Sequence, residues 1–137
     1  MKKLFLSLML LLPLMAVAQE KATYDEMVAG KDSVFIKVER MPSYPGGQKA
    51  LFKFLSENVH YPKAAQKKKI EGRVICQFVV DRDGTIEDVQ VVKSGGHPSL
   101  DKEAVRVLQL MPKWKPGLQD GKPVRVKYTV PVNFRLK

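Results

Sequence analysis

The chain has 137 residues, is 45% hydrophobic and 28% charged, and carries a formal net charge of +10. That length supplies one core and leaves no room for a second large domain. Cys76 is the only cysteine, so an internal disulfide is excluded.

Met1-Lys2-Lys3 is a short positive region, and Leu4 to Val17 is almost wholly apolar. Ala16-Val17-Ala18 follows, with small residues where a signal peptidase reads them. Residues 1–18 therefore read as a signal peptide cleaved before Gln19. The apolar run falls short of the roughly 20 residues a spanning helix needs. An uncleaved anchor is the alternative. A basic chain often binds nucleic acid, but export puts that partner out of reach. The expectation is no nucleic acid, with anionic envelope components or an acidic protein in its place. The scattered lysines also serve solubility.

Residues 19–32 read as a short polar leader, and 33–137 as one domain. Ser33 to Glu39 is rich in β-formers and reads as a strand. Met41 to Gly47 is a turn-rich break. Gln48 to Val59 reads as a helix, with Ala50, Leu51, Phe54 and Leu55 on one stripe. Pro62 opens a second short helix, Lys63 to Lys69, where its missing N–H is harmless. Arg73 to Val80 and Thr85 to Val92 are strands joined by Asp81-Arg82-Asp83-Gly84, a hairpin signature. Val74, Cys76, Phe78 and Val80 share the face that should be buried. Cys76 is then a small core residue.

Ser99 is a candidate helix N-cap, with Asp101 and Glu103 in the first turn, where the helix dipole favours negative charge. Leu100, Ala104, Val107, Leu108 and Met111 form that helix's stripe, and Pro112 stops it. Trp114 anchors the turn that follows. Pro123 to Leu136 reads as the final strand.

The fold class is α+β: a small antiparallel sheet packed with helices. A helix joins the second hairpin strand to the final strand, so those two should run parallel, with Arg73 to Val80 between them. The final strand then lies at an edge, unless Ser33 to Glu39 covers it. Pro123 and Pro131 agree, since a proline cannot donate to a ladder.

No catalytic or metal site is legible. His60 and His97 have no ligand spacing around them. Ser94, His97 and Asp101 cluster in a loop, which reads as turn and cap chemistry rather than a triad. Asp81 and Asp83 lack the rest of a calcium loop. No cofactor is expected, and no enzyme activity.

A family pattern runs through Tyr61-Pro62, Ala65, Ile70-Glu71-Gly72, Val74, Phe78, Val80, Asp83-Gly84, Val89, Ala104, Val105, Trp114, Pro116-Gly117, Gly121, Val124 and Phe134. In order and spacing these resemble the C-terminal domain of TonB-type energy transducers, with a core over 61–137. The resemblance implies docking on outer-membrane TonB-dependent receptors by strand addition, the receptor's TonB box being the added strand. It places the box on the edge strand Val124, Arg125, Val126, Lys127, Tyr128, Thr129 and Val130. It also brings the helix end, Asn58, His60 and Tyr61, close to the box. A transducer of that family meets a proton-driven motor through an N-terminal helix carrying a polar Ser and His, and crosses the periplasm on a long Pro-rich spacer. This chain has Ser7 but no His in the apolar run. Its leader reaches only about 45–50 Å when extended.

Three readings follow. One is a periplasmic module that docks on receptor peptides. Another is a complete transducer with an uncleaved anchor, bound to the motor from the inner membrane. The third is an envelope-binding protein using its basic surface. Edge strands also pair with copies of themselves, which leaves a homodimer open.

Overall fold

In chain order, the computed structural model, which describes residues 33–137, contains these elements. They are α1 (Gln48–Asn58), α2 (Lys63–Lys67), β1 (Gly72–Val80), β2 (Ile86–Lys93), α3 (Pro98–Gln109), β3 (Gly117–Gln119), β4 (Lys122–Val124) and β5 (Val126–Phe134). The expected signal peptide and polar leader lie outside the described residues.

Alternation along β1 buries Val74, Cys76, Phe78 and Val80, none more than 1% exposed. Val79 on the other face is also only 4% exposed, and burial on both faces suits a strand with neighbours on either side. The sheet order is β2-β1-β5, with β1 antiparallel to both neighbours. The outer two strands are therefore parallel to each other, and β5 is an edge, as the sequence predicted. The stripe of α3 (Leu100, Ala104, Val107, Leu108) lies on the buried face. Leu51 and Leu55 of α1 and Ala65 of α2 complete that side of the core.

Trp114 is the anchor of the far end. Its ring meets Phe78 at 5.2 Å, Tyr128 at 5.0 Å and Tyr44 at 5.8 Å between centroids, each edge to face. Aromatic quadrupoles favour that arrangement. The hairpin turn is tied to the same place. Gly84 holds φ +89°, and its carbonyl accepts the Trp114 N–H at 2.9 Å. Asp83 Oδ1 accepts the Thr85 N–H at 3.0 Å and fixes the turn.

Three sequence expectations change. The final strand is not continuous from Pro123 to Leu136. Lys122–Val124 folds back on Gly117–Gln119 as a separate small hairpin, and β5 starts at Val126. Asp120 and Gly121 carry φ +52° and +74° between those strands. Positive φ at both central residues is the hairpin turn that Asp-Gly favours, and it takes Val124 off the edge. The predicted strand over Ser33 to Glu39 reduces to one parallel bridge, Phe35 to Val126. Its continuation is drawn away to β3 through Arg40 and Leu118. Finally, α3 is capped by His97 rather than Ser99. The His97 Nδ1 accepts the Ser99 N–H at 3.1 Å, with Pro98 in the first turn.

Candidate docking edge

Backbone geometry decides what β5 offers. In an antiparallel ladder each residue directs both its N–H and its C=O to the same side, and the side alternates. The Lys127 N–H donates outward, to the Phe35 carbonyl at 2.8 Å. The β1–β5 register runs without a shift from Val80–Val126 to Gly72–Phe134. Thr129, Pro131 and Asn133 must therefore also face outward, and Val126, Tyr128, Val130, Val132 and Phe134 face β1. Pro131 fits this: its missing N–H falls on the side where no ladder bond is lost.

The expected edge residues now separate. Val126 and Val130 are buried, and Tyr128 sits among Trp114 and Phe78, so their side chains belong to the core. Arg125 is held at the strand's start by Glu87 at 3.1 Å and Asp81 at 3.5 Å. Its carbonyl accepts the Phe35 N–H at 2.9 Å, so the Arg125–Lys127 part of the edge is already paired. Among the described residues, the open row of backbone groups runs instead over Thr129 to Asn133.

Beside that open row lies a groove of about 390 Å³. One wall is α1 with its exit: Phe52, Ser56, Val59 and Tyr61. The other is β5 from Pro131 to Phe134, and Arg135 and Lys137 bring positive charge to it. Phe52 is 49% exposed, a large aromatic left in water at the groove. A strand added to β5 would send alternate side chains over this apolar wall.

The helix end behaves differently from its expectation. The Asn58 amide donates to its own helix, to the Phe54 carbonyl at 2.8 Å. The Asn58 carbonyl accepts from Arg106 Nη2 at 2.9 Å, and the His60 N–H donates to Glu103 Oε2 at 2.6 Å. Arg106 closes the clamp with two bonds to the Glu103 carboxylate, at 2.6 and 2.8 Å. Burial by itself pulls the Glu103 carboxyl up, but these bonds together outweigh it and leave the carboxyl below its ordinary value. Asn58 and His60 thus fix where α1 ends. Of the three expected residues only Tyr61 lines the groove, its hydroxyl donating to the Ile70 carbonyl.

Sequence reasoning placed Pro131 on the edge but did not name Phe52, Val59, Asn133, Arg135 and Lys137, which line the groove with it. Phe52 carried a signal, since it is an aromatic residue outside the α1 stripe. Asn133 carried none, because its part is played by its backbone.

Chemistry elsewhere is sparse. Ser94 Oγ donates to Asp101 Oδ2 at 2.6 Å, and Asp101 Oδ1 accepts the Gly95 N–H at 2.8 Å. Those contacts tie down the loop before α3. Among the described residues no group of His, Cys, Asp and Glu could hold a metal ion, and no helix is long and apolar enough to cross a membrane.

The described residues thus form a small α+β domain in which the β5 edge beyond Lys127 lies beside an apolar groove. The family model described as the Gram-negative bacterial TonB protein C-terminal matches residues 57–136. The chain belongs to the TonB C-terminal family. It is 34% identical over 77 residues to the TonB protein of Vibrio cholerae, covering 56% of this chain and 31% of that protein. It is 38% identical over 79 residues to the TonB protein of Pseudomonas aeruginosa, covering 56% and 22%. The chain thus spans a third or less of those relatives' length. The solution structure of the Helicobacter pylori TonB C-terminal domain superposes with a TM-score of 0.50 at 28% identity, covering 64% of this chain and 78% of that one.

Proposed function

We propose that this chain is a periplasmic docking protein of TonB-dependent transport. It takes the TonB box of an outer-membrane receptor as an added strand on the open part of β5. One observation carries the reading: outward-facing backbone groups over Thr129 to Asn133, without a backbone partner among the described residues, lie against an apolar groove. Main-chain bonds supply attraction of any extended peptide, and the groove supplies selection among side chains. Arg135 and Lys137 favour a guest with an acidic residue near that end. The N-terminal signal pattern supports export.

The test is a titration of isotope-labelled protein with a TonB-box peptide. The amides of Thr129 and Asn133 and the methyls of Leu55 and Val59 should shift together. If they stay in place at millimolar peptide while other residues respond, the docking site is elsewhere.

A further inference from the structure

We infer that the segment around Phe35 is a resident guest strand: it closes the first part of the β5 edge and dictates where an incoming strand begins. The consequence for a partner rests on the docking reading above; the geometry does not.

Phe35 is bound as an added strand would be. Its N–H donates to the Arg125 carbonyl at 2.9 Å, and its carbonyl accepts the Lys127 N–H at 2.8 Å, in a parallel bridge. These are the first outward groups of the edge. What remains for an incoming strand starts at the Lys127 carbonyl and Thr129, meets a proline at Pro131, and ends at Asn133. That footprint suits a guest of about five residues.

Among the described residues, the two ends of the segment are held unequally. Arg40 and Leu118 exchange two backbone bonds at 3.1 and 2.8 Å, and Ser43 and Lys115 exchange two more at 3.0 and 2.8 Å. The Glu39 N–H adds a bond to Gln119 Oε1 at 3.1 Å. Downstream of Glu39 the chain is therefore firmly stitched. Upstream, the described residues give the Phe35 bridge two backbone bonds; Val38 is buried at 8% exposure, but the residues on either side of Phe35 are not, Ile36 being 78% exposed and Val34 37%. A short, weakly buried pairing fixed at one end opens locally before the rest of the domain does. A longer guest strand can displace it; a short one has no need to.

The experiment uses the chain with Phe35→Pro, which removes the N–H given to Arg125; with one of its two bonds gone the bridge should open and free Lys127. By amide exchange, the wild-type Lys127 N–H should be protected at least about tenfold over that of Thr129. In F35P the two should exchange alike. Two receptor-derived peptides are then compared, one of about five residues and one of about nine. The long peptide should bind F35P roughly tenfold more tightly than wild type, because no closed state must first open, while the short one is unchanged. Equal exchange of Lys127 and Thr129 in the wild type overturns the inference, and that comparison decides even if F35P fails to fold. An equal gain for both peptides, or none for either, also overturns it. If neither peptide binds either protein, the docking reading fails, and the protection of Lys127 alone decides whether the edge is closed.

Discussion

Replacing Thr129 with proline separates the outward side of β5 from the inward side. The Thr129 N–H faces away from β1, so proline there removes no backbone bond from the β1–β5 ladder, as at natural Pro131, and costs only the exposed bond from Gln77 Nε2 to Thr129 Oγ1 at 3.2 Å. The domain should keep its stability within about 1 kcal/mol, the range of surface changes that touch no core contact. A docked strand, however, would lose its central donor and keep a buried, unmet carbonyl. An unsatisfied acceptor costs about 1–3 kcal/mol, or about 5- to 150-fold in Kd. Val130→Pro is the matched opposite. Val130 pairs with Cys76, faces β1 and is 2% exposed. Proline there removes a ladder bond and disturbs the core, at about 2–4 kcal/mol. Urea unfolding followed by circular dichroism gives the stabilities, and calorimetric titration with a TonB-box peptide gives the affinities. Equal loss of stability in both variants would refute the alternation argument. Binding by T129P within twofold of wild type would refute the docking edge.

Three further outcomes are expected. Glu103→Gln weakens the clamp on the α1 exit and should flatten the acid limb of the stability curve. The folded carboxyl sits below its unfolded value of about 4.3, so its contribution is present above that pH and is lost as pH falls through the folded value. Urea midpoints at neutral and acidic pH should differ less in E103Q than in wild type. The Cys76 thiol is pushed up to about 11, first by burial and then by Asp101. It should resist alkylation at pH 8 in the native protein and react promptly in denaturant. Its contribution to stability is intact below the unfolded thiol value and fades between about pH 9 and 11. Gly84→Ala combines a φ of +89° with a new Cβ 1.9 Å from the Trp114 carbonyl oxygen. It should lower unfolding free energy by about 2 kcal/mol or more, read as a drop in urea midpoint.

Much of this protein was determined by sequence alone, where neighbours along the chain decide the outcome. The alternation of Val74, Cys76, Phe78 and Val80 fixed the buried face of β1, because the period of two is a property of the strand itself. Asp83-Gly84 located the hairpin, and the helix after it forced the final strand to the edge. The tertiary structure decided what the edge offers. Backbone parity at Thr129 follows from the register with β1, and no side chain encodes it. Phe35 reads as part of a strand, but its real partner lies at Arg125 and Lys127, far along the chain. Asn58 and His60 looked available until Glu103 and Arg106 from another helix engaged them. Asp120-Gly121 is a legible turn signal, but Gly117–Gln119 is too short a run to read as a strand, and only its pairing with Lys122–Val124 separates Val124 from β5. Local periodicity built the sheet, and contacts between distant segments chose which part of its edge is open.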